Sequence, residues 1–115
     1  MSDNDSSGWA AIEELRRQLD EIDFRLVELL NERARRVAEI GKIKRAAGLP
    51  LYQPEREQSI FELVLGMNRG PLSSRALRRL FERILDESRS VERRVMEEAA
   101  GGARGATGQS EERGG

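Results

Sequence analysis

From Trp9 to about Ala47 the sequence contains no proline, and no glycine other than Gly41. Apolar residues in this stretch fall at Ile12, Leu15, Leu19, Ile22, Leu26 and Leu29, and resume at Ile40 and Ile43. Spacings of three and four alternate, which is the period of one helical face. A helix of about 37 residues spans roughly 55 Å, at 1.5 Å per residue. A compact domain of this chain length is only about 34 Å across. A single chain therefore cannot cover the stripe. Two-fold antiparallel pairing of the same helix in two chains is the simplest closed arrangement that does, so the expectation is a helical homodimer.

The rest of the chain punctuates cleanly. Gly48-Leu49-Pro50 ends the first helix, and Gln53-Pro54-Glu55-Arg56-Glu57 starts a second, with proline at its first position and acids in its first turn. Ile60, Phe61, Val64 and Leu65 give that helix one apolar face. Gly66 to Leu72 reads as a loop, after which Ser73 or Ser74 caps a third helix. Its stripe runs through Leu77, Leu80, Phe81, Ile84, Ser88, Val91 and Val95. The predicted fold is all-α, with one very long, one short and one medium helix in a helical domain over residues 9–100. Residues 1–8 and 101–115 carry no apolar pattern and are expected to be a disordered N-terminus and a disordered tail.

Composition removes several kinds of chemistry. The 115 residues include no cysteine and no histidine, so there is no thiol nucleophile, imidazole base or usual zinc site, and no metal is expected. The 20 basic and 21 acidic residues are interspersed, giving a net charge of −1 and no basic field for nucleic acid or anionic lipid. The N-terminus lacks an apolar core and no long apolar run follows, so neither a secretory signal nor a membrane span is expected and the reading is cytoplasmic. No fused regulatory, dehydratase or dehydrogenase domain is expected.

Two interruptions of the apolar pattern point to a site. Past Leu29 the three-four alternation lands on Arg33 and Arg36, where leucine is expected. Arg33 and Lys44 lie about 20° apart around the helix and roughly 16 Å apart along it. Val37 and Ile40 lie between them, making an apolar floor with a cation at each end. In the third helix Ser88 occupies a stripe position, and Glu92 follows four residues later on the flank of that face. A serine of this kind can also be satisfied by its own helix carbonyl.

The ordered set Leu15-Arg16, Asp23, Leu29-Leu30-Asn31-Glu32-Arg33, Ile40-Gly41-Lys42-Ile43-Lys44, Pro54-Glu55-Arg56-Glu57 and Phe81 through Ser88 to Glu92 resembles the all-helical chorismate mutase family, the AroQ class. The resemblance covers roughly residues 12 to 95. It implies an intertwined three-helix homodimer that converts chorismate to prephenate for phenylalanine and tyrosine synthesis, without any cofactor. Position by position, it implies that Arg33, Lys44, Gln53, Arg56, Glu57, Ser88 and Glu92 form one protomer's share of the substrate pocket. Lys44, Glu92 and Arg33 are the residues implied in catalysis. Arg16 is the arginine implied to come from the other subunit. In an antiparallel pair crossing near Val27, residue 16 of one chain lies opposite about residue 38 of its partner. Within its own chain Arg16 is about 25 Å from Arg33 along the helix.

Two positions depart from the family pattern. Gln53 stands where many members have an aspartate that holds the ring hydroxyl. Glu92 stands where several have a glutamine that donates to the substrate's ether oxygen. A carboxylic acid donates only when protonated, so Glu92 predicts activity that rises toward acid pH.

Related helical proteins act as isochorismate-pyruvate lyases or as mutases of 4-amino-4-deoxychorismate. The Gly41-Lys42-Ile43-Lys44 segment favours the ordinary mutase over the lyase, whereas Gln53 and Glu57 face the substituent that distinguishes the amino substrate. A reading of a different class is a non-enzymatic helical dimerisation module with Arg33 and Arg36 as register-setting polar positions. That reading leaves Lys44, Ser88 and Glu92 unexplained.

Overall fold

The structure, a computed structural model, describes the backbone of residues 2–101 and the side chains of residues 7–98. It contains three helices, α1 (Ser2–Ala47), α2 (Pro54–Met67) and α3 (Ser74–Gly101), and no strand among the described residues. Their lengths of 46, 14 and 28 residues match the long, short and medium helices expected. The helix α1 begins at Ser2 rather than at Trp9, and α2 runs through Gly66 to Met67 before the loop begins. The tail expected to be disordered lies, from residue 102, outside the described residues. Among the described residues no helix is long and apolar enough to cross a membrane.

Each boundary has a local cause. At the end of α1, Gly48 adopts φ +69°, its N–H donates to the Arg45 carbonyl at 3.3 Å, and the Leu49 N–H donates to the Lys44 carbonyl at 2.8 Å. That pair of reversed bonds closes the helix around a left-handed residue, a conformation glycine reaches without a Cβ penalty. Pro54 opens α2, where its missing N–H costs nothing. Ser73 resolves the ambiguity at α3: its Oγ accepts from the Ala76 N–H at 3.0 Å.

The described chain divides between Arg35 and Arg36 into two units. The first is helical throughout and leaves Ile12, Leu15, Leu19, Ile22, Leu26 and Leu29 exposed, with Leu29 at 60%. Its polar side chains pair along the same helix: Arg16 with Glu13 at 3.2 Å, and Arg17 with Glu14. The second unit holds the core, where Ile60 and Val64 of α2 pack with Leu85 of α3 and are flanked by Phe61, Leu77 and Phe81.

The buried face of α3 differs from the stripe read in the sequence. Leu80 is 52% exposed, whereas Leu85, absent from that stripe, is the most buried of the core residues at 4%. The face runs instead through Leu77, Phe81, Leu85, Ser88, Glu92 and Val95, still in steps of three and four. This corrects the placing of Glu92 on the flank, because it is a buried member of the face.

Candidate functional site

Lys44, near the end of α1, and Glu92, on α3, are the buried charged side chains among the described residues, each 8% exposed. The Lys44 Nζ lies 2.8 Å from Glu92 Oε2 and donates to the Leu51 carbonyl, also at 2.8 Å. Burying two charges is costly unless they are paired and hydrogen-bonded, and here both conditions are met. The Leu51 carbonyl is available because the glycine turn at Gly48 sends the chain back past Lys44 before α2 begins.

Gly41 lets α1 come this close to α3. A Cβ at residue 41 would lie 3.2 Å from Glu92 Cγ, and 3.4 Å from both the Glu92 carbonyl oxygen and Val95 Cγ1. Any larger residue would push against the stem of Glu92 itself. One turn further along α1, Arg45 Nη1 donates to the Met96 carbonyl at 3.1 Å and ties the two helices again.

The N-terminus of α2 carries three of the predicted residues. Gln53 is the N-cap, with extended backbone (φ −132°, ψ 92°) and no side-chain cap bond. Its carbonyl accepts the Arg56 N–H at 3.1 Å and the Glu57 N–H at 3.3 Å, which sets the first turn. The side chains of Gln53 and Arg56 are exposed, while Glu57 is half-buried. Its Oε2 accepts from Arg89 Nη1 of α3, and Arg89 Nη2 is bound in turn by Asp86. The Glu57 hydrogen bond raises the Arg89 guanidinium above the usual arginine value, outweighing the opposite effect of burial.

Ser88 is half-buried and its Oγ donates to the Ile84 carbonyl at 2.9 Å, the local bond that serines on helices often make. Arg16 and Arg33 belong to the first unit. Arg16 pairs with Glu13 and stands 5.9 Å from the centre of the Trp9 ring, and Arg33 is half-buried. The structure thus brings Lys44 and Glu92 into contact and sets Ser88 and Arg89 less than two turns before Glu92 on the same helix.

Sequence reasoning missed Arg89, the Leu51 carbonyl and the packing role of Gly41. The local pair of Asp86 with Arg89, three residues apart on a helix, was visible as a pattern. Its partner Glu57, 32 residues earlier, was not.

A family description, chorismate mutase type II, matches residues 15–93. The bifunctional chorismate mutase/prephenate dehydratase of Aquifex aeolicus is 39% identical over 88 residues, which cover 73% of this chain and 24% of that protein. This chain therefore spans about a quarter of that relative's length. The chorismate mutase of Methanocaldococcus jannaschii is 24% identical over 86 residues, covering 74% of this chain and 87% of that one. A solved chorismate mutase from Thermus thermophilus superposes with a TM-score of 0.71 at 36% identity, covering 72% of this chain and 94% of that chain. The matched span takes in α2 whole, the Gly41-to-Lys44 segment, and α3 through Glu92, so the chain belongs to the chorismate mutase type II family.

Proposed function

We propose that the chain is a chorismate mutase, isomerising chorismate to prephenate in the synthesis of phenylalanine and tyrosine, and that it works as a homodimer. The observation that carries this reading is the buried Lys44–Glu92 pair in a member of this family. A lysine held dry beside a carboxylate is expensive to maintain as a structural element, and a hydrophobic pair of similar volume would serve packing equally well.

The chemistry matches the residues available. The reaction is a concerted [3,3] shift that needs no nucleophile, so a chain without cysteine or histidine can perform it. What it needs is a folded substrate conformer, in which the enolpyruvyl arm lies over the ring. Arg33, Arg56 and Arg16 of the partner subunit would anchor the two substrate carboxylates, with Ser88 assisting at one of them. Negative charge develops on the ether oxygen as the C–O bond breaks. Lys44 would donate to that oxygen, so its interaction strengthens in the transition state. Glu92, when protonated, would be the second donor, while Glu57 and the Gln53 amide would hold the ring hydroxyl.

The exposed stripe of α1 supports the homodimer. Six leucine and isoleucine side chains between Ile12 and Leu29 are 39% to 60% exposed in the single chain. Covering each would contribute roughly 1 kcal/mol. Arg16 lies on this segment, so pairing would carry it to the partner's site.

The direct test mixes purified protein with chorismate and follows loss of its absorbance, with Lys44→Ala as control. The expected result is turnover that falls at least a hundredfold in Lys44→Ala. Turnover unchanged in that variant would refute the mechanism, and no turnover by the parent protein would favour a non-enzymatic dimerisation module.

A further inference from the structure

We infer that Arg89 is a positioning and specificity-determining residue: it holds Glu57 in place and tunes that corner of the site to take a neutral ring hydroxyl rather than an ammonium group. The inference rests on the proposed role of Glu57 at the ring substituent.

The geometry is a fork between two helices. Arg89 Nη1 binds Glu57 Oε2 of α2, while Nη2 binds Asp86 of its own helix. The Arg89 and Glu57 side chains are 30% and 23% exposed, against 55% for Asp86. The cross-helix bond is therefore the more desolvated of the two, and the Asp86 bond orients the guanidinium from its solvent side. Arg89 follows Ser88 directly and precedes Glu92 by less than a turn, so the fork sits beside the residues proposed to contact substrate.

Two consequences follow from elementary chemistry. A free glutamate samples many rotamers, and a ligand that needs one of them must bear the cost of ordering it. With Oε2 already bound, Oε1 is left as the acceptor and the side chain is ordered before substrate arrives. The second consequence is electrostatic. A lone carboxylate attracts an ammonium group more strongly than a hydroxyl. Arg89 compensates that charge and repels an ammonium, while a hydroxyl can still donate to Oε1. Gln53, at the same end of α2, adds no charge of its own. Without Arg89, Glu57 and Asp86 would stand uncompensated and would favour a cationic substituent.

The test compares chorismate with 4-amino-4-deoxychorismate as substrates of the full chain, Arg89→Gln, Arg89→Lys, Glu57→Gln and the Arg89→Gln/Glu57→Gln double variant. Urea unfolding of each is measured alongside. Arg89→Gln is expected to raise KM for chorismate roughly tenfold with a smaller change in kcat, and to shift the kcat/KM ratio about tenfold toward the amino substrate. Arg89→Lys keeps the charge and loses the fork, so KM should rise while the ratio stays near the parent value. In the Glu57→Gln background, removing Arg89 should add little, because the two act as a unit. A ratio unchanged in Arg89→Gln, or losses that simply add in the double variant, would overturn the inference while leaving the role of Glu57 intact. If Glu57→Gln itself leaves chorismate turnover unchanged, the role of Glu57 falls and the inference falls with it. Should Arg89→Gln not fold, the Arg89→Lys substitution made with and without Glu57→Gln decides: a KM rise confined to the Glu57 background supports the inference, and an equal rise in both overturns it.

Discussion

Lys44 Nζ and Glu92 Oε2 stand 2.8 Å apart across α1 and α3, at a point where the helices approach closely enough that a Cβ at Gly41 would press on the Glu92 stem. The same contact that makes the charges tolerable in a buried place also aims them. As a carboxylate Glu92 can only accept, and it accepts from Lys44; as an acid it has a proton to give. The pairing seen here is the accepting one.

This gives the first expectation. Glu92→Gln should raise kcat for chorismate severalfold, because an amide can donate to the ether oxygen where the carboxylate seen beside Lys44 only accepts. Initial rates of chorismate loss by the two proteins check it, and a kcat that Glu92→Gln leaves unchanged would remove the proposed donor role at this position.

Gly41→Ala separates packing from function. Alanine gains about 1 kcal/mol of helix propensity over glycine. Its Cβ would also meet Glu92 Cγ at 3.2 Å, and the glutamate must give by a few tenths of an ångström. The urea midpoint should therefore move little while kcat falls severalfold. Gly41→Val cannot be absorbed in this way and should cost about 2 kcal/mol or more. Paired unfolding curves and kinetics on the two variants decide the matter.

Leu19→Asp addresses the assembly. Leu19 is 54% exposed in the single chain and lies mid-stripe on α1. Under the proposed pairing, a charge there should prevent dimerisation, halve the mass measured by light scattering, and abolish turnover by withdrawing the arginine proposed to come from the partner. A variant that kept both mass and activity would rule out dimerisation through this face.

Leu85→Ala examines the core of the second unit. Leu85 is 4% exposed and packs against Ile60 and Val64. Truncation should destabilise the protein by about 2–4 kcal/mol, read in urea. Since no substrate contact is assigned to Leu85, KM measured well below the unfolding transition should stay near that of the parent.

Much of this arrangement was legible in the sequence because helices announce themselves by period and punctuation. Gly48, Pro54 and Ser73 mark their boundaries through backbone chemistry that depends on one residue at a time. Lys44 stood out, with Arg33, as a cation at one end of an apolar floor formed by Val37 and Ile40. The face of α3 was misplaced because a reading that ranks residues by hydrophobicity prefers Leu80 to Glu92, and only the presence of Lys44 on another helix reverses that preference. Arg89 was missed for a related reason. In a chain with 20 basic residues, charge carries little information until a cross-helix partner is known. Interactions between distant positions, rather than any property of the positions themselves, hold what the sequence did not yield.

The chain has two lysines, Lys42 on the outside of α1 and Lys44 beneath the Leu51 carbonyl. They are two residues apart on one helix, so they share temperature, buffer and local chain motion, and differ in access to solvent. Amine-directed acylating reagents should mark Lys42 quickly and Lys44 only when the segment around Leu51 lifts away. The slower of the two labelling rates is thus a built-in clock for release of Lys44 from the Leu51 carbonyl, with the faster one as its internal standard.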